Sequence, residues 1–223
     1  MNLINTLIAG VSIGAVYSLI AFALILVWRS TRVVNFAQAG QAAFSTYVGL
    51  SIEKAFGNYW LALLVAIIAG VLVGAFVEVV IVRFIVKRAT SAATATVAPV
   101  IAMLGLLGIF QGLMGLIWGG DYQPYPTAFS RDGISIAGTQ IPFSPSDLFV
   151  LLTVVVAMSI AAIIFQRTSL GLSMRAAAFA PEVTRLSGIR VSRIRTLGWA
   201  FAGGAGGLAG VLVVPTPFIA PNS

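Results

Sequence analysis

The sequence contains neither cysteine nor histidine, and only 9% of its 223 residues are charged. The absence of cysteine excludes thiol chemistry and disulfides. Without cysteine and histidine, the chain also lacks the usual ligands of a zinc site. The phosphate-loop pattern GxxxxGK[ST] and the zinc-protease pattern HExxH are also missing from the sequence. We therefore predict no metal site, no cofactor bound by this chain, and no ATP hydrolysis through a phosphate loop of its own.

What the chain has in excess is apolar side chains, which make up 59% of its residues and give a mean hydropathy of +1.04. Soluble domains are typically about 45–50% apolar and about 25% charged. Water would not solvate such a surface, so the composition indicates a membrane protein. The net charge of +7 does not require a nucleic-acid partner, because membrane proteins retain basic residues on their cytoplasmic side.

Long apolar runs predict an all-α, polytopic bundle with about six membrane segments, since a helix needs about 20 apolar residues to cross the hydrocarbon core. A β-barrel would instead show alternating short strands. A further stretch, 35–52, is shorter and more polar, and we expect either a span or a broken, re-entrant helix there. The five longer runs are 3–28, 59–82, 95–118, 147–166 and 197–215.

The distribution of basic residues predicts that the N-terminus lies outside and that all six segments cross. Eleven basic residues then lie on the cytoplasmic side, against Lys54 and Arg131 outside. The outside loop 119–146 is rich in glycine, proline and serine, and we expect turns or a short hairpin there. The eleven are Arg29, Arg32, Arg83, Lys87, Arg88, Arg167, Arg175, Arg185, Arg190, Arg193 and Arg195.

Glycines four residues apart predict close helix contacts, because small residues let backbones approach each other in lipid. Ordinary bundle packing accounts for them, and sliding during transport is the alternative interpretation. The pairs are Gly10/Gly14, Gly70/Gly74, Gly108/Gly112, Gly203/Gly207 and Gly206/Gly210.

Few polar groups lie inside the predicted spans, and they give two candidate sites. Glu78, five residues before Arg83, is expected to form an ion pair at the helix end rather than a proton site. Five other residues are candidates for the lining of a solute pathway, with interhelical hydrogen bonding as the alternative. These are Tyr17, Asn35, Gln38, Gln41 and Gln111.

The loop 168–196 predicts a cytoplasmic docking element. Pro181 suits the first turn of a helix, Gly188 the position just past its end, and Glu182 the positive helix terminus. The apolar residues Phe179, Val183 and Leu186 follow helical spacing, so a short amphipathic helix is expected. A solvated loop held by the inside-positive bias is the alternative. Arg175 and Arg185 belong to the same candidate docking site.

Four stretches together resemble the LIV-type permeases of ABC importers for branched-chain amino acids. They are GVSIGAVYSLIAFALILVWRSTRVVNFAQAG, EVVIVRFIVKR, APVIAMLGLLGIFQG and TSLGLSMRAAAFAPEVTRLSGIRVSRIRTLGWAFAGGAGGLAGVL.

This resemblance implies a second, similar permease, two ATPase subunits that hold ATP and Mg²⁺, and an external solute-binding protein. It assigns Ala176 to Gly188 to the helix that seats in the ATPase. It also matches the family's Asn-Phe-Ala motif to residues 35–37 and its glutamate and arginine of the third helix to Glu78 and Arg83.

The resemblance further implies one permease domain over 1–223, shortened at its C-terminus, in a bacterial-type inner membrane. Its expected substrate is a branched-chain amino acid or a related small solute. Two alternatives remain: an ion-coupled secondary transporter or channel, and a membrane assembly protein that transports nothing.

Overall fold

The structure is a computed structural model that describes residues 3–88, 92–121, 123–130, 132–136, 139–141, 143–213 and 218–219. Helices dominate it, and the strands are two or three residues long. The helices are α1 (Leu3–Thr31), α2 (Gln38–Phe56), α3 (Tyr59–Phe76), a π-helical turn (Val77–Val82), α4 (Arg83–Arg88), α5 (Ala92–Trp118), α6 (Pro145–Arg167), α7 (Ser169–Phe179), α8 (Pro181–Leu186) and α9 (Val191–Val213).

Five helices of the described chain are long and apolar enough to cross a membrane, which confirms the all-α polytopic bundle. Each coincides with one of the five long apolar runs of the sequence. The stretches that qualify are Gly10–Thr31, Tyr59–Arg88, Val97–Trp118, Pro145–Arg167 and Val191–Val213.

The sixth predicted segment is α2, one continuous helix of 19 residues and about 28 Å. It packs against α3, α5 and α9 and buries most of its polar side chains. The alternative of a broken segment is therefore wrong within Gln38–Phe56. The break precedes the helix, between Thr31 and Gln38, where Arg32 takes a left-handed φ of 59°.

Helix α9 forms the centre of the bundle, with 61% of its membrane-spanning stretch buried against 6% for α6. Glycines bring α9 onto α3: a Cβ on Gly203 would collide with the backbone of Gly70, and one on Gly74 with the backbone of Trp199. Only small residues permit such an approach in lipid. The contacts predicted from Gly70/Gly74 and Gly203/Gly207 are confirmed.

Of the other glycine pairs predicted to make helix contacts, one does so within the described residues and two do not. Gly206 and Gly210 face α2, where an added Cβ would meet the Gln38 and Thr46 side chains. Among the described residues, nothing lies within 4 Å of Cβ atoms added to Gly10, Gly14, Gly108 and Gly112. The contact prediction for these two pairs is wrong for the described part of the chain, because their spacing shows that a helix can be approached but not that a partner is present.

The third predicted span is not one regular helix. After α3 the backbone widens into the π-helical turn Val77–Val82, in which the Arg83 N–H donates to the Glu78 carbonyl oxygen. It then continues as α4, whose last turn carries Lys87 and Arg88. π-helical turns are rare and occur frequently at functional sites.

The loop between α5 and α6 contains the predicted hairpin, formed by the antiparallel strands β2 (Ile134–Ile136) and β3 (Thr139–Ile141). A second antiparallel pair joins β1 (Gln123–Pro124) to β4 (Phe218–Ile219). Arg131, one of the two basic residues predicted outside, lies beyond the described residues.

Candidate functional site

The predicted pair of Glu78 and Arg83 is present, and it is part of a larger network. Arg83 Nη2 lies 2.8 Å from Glu78 Oε2, and Arg83 Nε lies 3.4 Å from Glu78 Oε1. The Thr196 hydroxyl accepts from Arg83 at 2.8 Å and donates to Glu78 Oε2 at 2.7 Å. The network thus joins the end of the third span to the first turns of α9.

Burial explains why the pair must be complete. Glu78 is 1% exposed, whereas the Arg83 side chain is 29% exposed. A buried carboxylate is costly unless it is paired and hydrogen-bonded. Arg83 supplies the opposite charge, and Arg83 and Thr196 supply the hydrogen bonds. The Arg83 side chain is partly exposed and extends from this buried carboxylate towards the membrane surface.

Three polar residues, Asn35 just before α2 and Gln38 and Gln41 in its first turn, come together at the N-terminal end of the helix. Asn35 Nδ2 donates to Gln38 Oε1 at 2.9 Å and lies 3.3 Å from Gln41 Oε1, and Gln38 Nε2 donates to the Ala202 carbonyl oxygen at 3.1 Å. All three side chains are buried. Their amides hydrogen-bond to each other and to α9. This is the interhelical hydrogen bonding expected from the sequence as the alternative to a solute pathway.

The remaining two candidates for the lining lie apart from this polar trio. Tyr17 is 63% exposed on α1, and Gln111 is exposed on α5. Neither residue has a hydrogen bond to the trio. The structure therefore brings Asn35, Gln38 and Gln41 together and leaves Tyr17 and Gln111 apart from them, and the shared lining stays a prediction.

The predicted docking helix is present as α8, with both of its predicted ends. Pro181 occupies the first turn, and Gly188 has a φ of 82°. The Ile189 N–H donates to the Thr184 carbonyl oxygen, and the Gly188 N–H donates to that of Arg185. These two bonds form a Schellman motif, which satisfies the last carbonyls of the helix and requires a left-handed residue such as glycine.

The apolar side chains predicted for this segment are exposed on the surface of the chain. Phe179 is 93% exposed, Val183 63% and Leu186 89%, while Thr184 on the opposite side is 4% exposed. Soluble surfaces commonly carry single exposed apolar residues, but three together, one at the end of α7 and two on α8, indicate an interaction site. We call Phe179, Val183 and Leu186 the apolar docking face.

The charged residues of the docking segment contact residues that are close to them in the sequence. Glu182 and Arg185 form an exposed pair at 3.6 Å, of a kind that contributes little to stability. Arg175 donates to the carbonyl oxygen of Phe165, at the end of α6. Arg175 thus anchors α7 to the membrane helix rather than extending the apolar docking face.

Helix α7 is an element of the docking segment that the sequence patterns did not predict. The Thr168 side chain accepts from the Gly171 N–H and caps its start, and an added Cβ on Gly171 would collide with the Phe165 backbone. The capping threonine and nearby glycine are local signals that could have located this helix. Thr196, by contrast, has no local signal, because its role depends on the distant Glu78.

One stretch of α1 has the spacing of a hydrolase motif but not its structure. In GVSIG, residues 10–14, Ser12 lies inside the helix, buried and 6% exposed. The GxSxG nucleophile of hydrolases instead occupies a sharp strand-to-helix turn beside a histidine. Because the sequence has no histidine, Ser12 has no such base.

Comparison with known proteins identifies the family. The profile described as "Branched-chain amino acid transport system / permease component" matches residues 6–223. The chain belongs to this permease family. It is a multi-pass membrane protein, as the resemblance of its sequence predicted.

A relative of the permease is the probable branched-chain amino acid transport permease protein LivH of Methanocaldococcus jannaschii. The two are 29% identical over 200 residues, which cover 87% of this chain and 61% of the relative. The chain thus spans about three fifths of the length of that relative. No solved structure matches the permease.

Proposed function

We propose that this chain is the membrane-spanning permease subunit of an ATP-driven importer. It moves branched-chain amino acids or a related small solute into the cytoplasm. Separate subunits bind ATP and Mg²⁺ and hydrolyse the ATP. The observation that carries the proposal is the apolar docking face of Phe179, Val183 and Leu186, which is exposed beside the membrane helices of a chain that belongs to a transport permease family.

The docking segment has the properties that coupling to an ATPase requires. Burying a large apolar side chain contributes about 1.5–3 kcal/mol, so three exposed side chains offer substantial binding energy to a partner. The buried Thr184 holds the other side of α8 against the bundle. A displacement of α8 therefore passes through the short link at Gly188 into α9, the central helix.

The proposed orientation has the N-terminus outside and the docking segment in the cytoplasm of a bacterial-type cell. The eleven basic residues on the side of α8, against two on the other, support it. ATP is a cytoplasmic substrate, so the docking segment and the proposed ATPases share a compartment.

The state of Glu78 favours ATP over an ion gradient as the energy source. Among the described residues it is the one buried acidic side chain, and both of its oxygens are bound by Arg83 and Thr196. Ion-coupled carriers use membrane carboxylates that gain and lose a proton or cation. A carboxylate already neutralised by an arginine is poorly suited to that task.

The complete importer in this proposal contains a second permease, identical or homologous, two ATPase subunits and an external solute-binding protein. The exposed apolar surfaces of α5 and α6 offer area to lipid and to the second permease. Asn35, Gln38 and Gln41 contribute to the solute pathway in a state in which α2 and α9 separate, since their amides bind each other and α9 in the packed state.

The test replaces Leu186 by aspartate in the full protein, co-expressed with its ATPase subunits and reconstituted in liposomes. We expect Leu186→Asp to insert normally but to lose most of the co-purified ATPase and of the solute-stimulated ATP hydrolysis. The control Thr127→Asp adds the same charge to an exposed residue in the loop between α5 and α6. Unchanged ATPase binding and transport in Leu186→Asp would contradict the docking assignment.

A further inference from the structure

A cavity of about 650 Å³ lies between the ends of α1 and α6 and the whole of α7. Its volume is within the range of about 300–1,000 Å³ that is usual for small-molecule sites. It is separate from the polar trio and from the ion pair, neither of which contributes to its lining. The proposed transport function assigns it no role.

The inner part of the cavity is apolar. Phe22 and Ile25 of α1 line one side, and Met158 and Ala162 of α6 line the other. Phe22 precedes Arg29 by seven residues, which places it about 10 Å deeper along α1. The apolar walls therefore extend from the end of these helices into the membrane-spanning part of the bundle.

The outer part of the cavity carries three arginines, Arg29, Arg32 and Arg175, and the described lining contains no aspartate or glutamate. The Arg32 guanidinium lies 4.5 Å from the centre of the Trp28 ring and donates to the Ala178 carbonyl oxygen. Arg175 donates to the Phe165 carbonyl oxygen. These contacts orient the guanidinium groups but supply no negative charge.

No ion pair of the described chain involves these three arginines. Its two ion pairs are Glu78 with Arg83 and Glu182 with Arg185. Three arginines around one opening, with no carboxylate among them, form a surface complementary to an anion from outside the chain. Guanidinium groups bind phosphate oxygens in paired hydrogen bonds, so a phosphate group is the complementary anion.

We propose that this cavity binds an anionic phospholipid from the adjacent membrane leaflet. Its phosphate lies among Arg29, Arg32 and Arg175, and one acyl chain extends between α1 and α6 towards Phe22 and Met158. A free phosphate would leave the apolar inner part of the cavity empty. A phospholipid complements both parts, since its phosphate faces the arginines and its acyl chain contacts the apolar walls. Basic pockets between membrane helices bind anionic lipid head groups in this way.

The bound lipid has a structural consequence for the docking segment. Ala178 and Phe179, at the end of α7, also line the cavity. An anion shared by Arg32 of α1 and Arg175 of α7 ties these helices together and fixes the position from which α8 begins. This consequence rests on the proposed function, but the lipid site itself does not.

The experiment measures lipid retention by native mass spectrometry of the full protein in a neutral detergent. The probes are phosphatidylglycerol and phosphatidylcholine with identical acyl chains. We expect selective retention of phosphatidylglycerol, and at least about tenfold weaker binding in the double variant Arg29→Gln/Arg32→Gln, since each basic residue contributes about a factor of five. The control Arg190→Gln/Arg193→Gln removes two exposed charges outside the cavity and should bind normally.

A second pair of variants tests the apolar half without changing charge. Ala162→Trp fills the cavity from α6 and should abolish retention, whereas Ile163→Trp, on an exposed position outside it, should have no effect. Equal retention of the two lipids, equal loss in both arginine pairs, or competition by glycerol 3-phosphate as strong as by the lipid would each overturn the proposal. So would a folded full protein whose cavity accepts no lipid. Binding of phosphatidylglycerol with no ATPase attached would uphold this site even if the proposed function failed.

Discussion

Arg83 pairs with Glu78 across five residues because the backbone between them is a π-helical turn. In an α-helix, residues five apart are rotated by about 140° and point to different sides. The wider turn of Val77–Val82 brings the two side chains onto one side, with 2.8 Å between Arg83 Nη2 and Glu78 Oε2. The irregular backbone therefore makes the ion pair possible, and the pair contacts Thr196 of α9.

Replacing Glu78 by glutamine should destabilise the protein. The change leaves Arg83 without its carboxylate, and hydrogen bonds to charged groups contribute about 1.5–3 kcal/mol. We expect a loss of this size rather than the larger cost of a fully buried pair, because Arg83 is partly exposed. Thermal unfolding in detergent, followed by tryptophan fluorescence, should show a Tm lower by several degrees.

The matched control is Glu182→Gln, which removes the acid of the exposed pair with Arg185 and should change the Tm little. The double variant Glu78→Gln/Arg83→Gln separates pairing from burial. It should recover part of the loss, because no unpaired charge remains. Equal Tm values for Glu78→Gln and Glu182→Gln would contradict the structural role of the network.

Local sequence signals predicted the ends of elements better than their contacts. Hydropathy located the five long spans, and Pro181 with Gly188 located α8, because chain-local chemistry determines both. The π-helical turn and the role of Thr196 could not be predicted, since they depend on contact between α9 and the third span. Helix α2 gave a weak hydropathy signal because it carries many polar side chains, several of which bond to carbonyl oxygens of the same helix or, for Gln38, of α9.

Gly203→Ala should destabilise the bundle, whereas Gly108→Ala should not. A Cβ at position 203 collides with the Gly70 backbone, which cannot move without separating α3 from α9, while position 108 faces open space. Overpacking of this kind costs about 1–3 kcal/mol. Thermal unfolding and the yield of folded protein measure the difference. A Tm for Gly203→Ala equal to that of Gly108→Ala would show that the α3–α9 contact is looser than described.

The same comparison explains why identical glycine spacing gave one correct and one wrong contact prediction. Spacing of four residues makes a helix face flat, and both Gly70/Gly74 and Gly108/Gly112 have it. Which flat face meets another helix is decided by the whole bundle. Local patterns in a single sequence therefore do not predict which of the two glycine pairs contacts another helix.

Gln38→Leu should affect stability more than Gln111→Leu. The first change removes the bond to the Ala202 carbonyl oxygen and leaves Asn35 with an incomplete set of partners in a buried site. Such groups cost about 1–3 kcal/mol each. Gln111 is exposed, so its replacement should leave the Tm unchanged.

Solute uptake by the reconstituted importer distinguishes a lining residue from a packing residue at position 38. If Gln38 contributes to the pathway, uptake should fall further than the remaining folded protein accounts for. Uptake proportional to the amount of folded Gln38→Leu protein would count against the pathway assignment and leave the residue a packing role.

Gly188→Ala should weaken coupling more than folding. Gly188 has a φ of 82° and open space around it, so a Cβ meets no atom and the cost is that of the left-handed backbone, about 1–2 kcal/mol. The chain can avoid this cost by unwinding the end of α8, which displaces Leu186 from the apolar docking face. We expect a small change in Tm but a several-fold loss of solute-stimulated ATP hydrolysis. Gly188→Asn should retain more activity, because asparagine adopts the left-handed conformation more readily than alanine. If alanine and asparagine give the same hydrolysis rate, the geometry at the end of α8 is not what couples the two subunits.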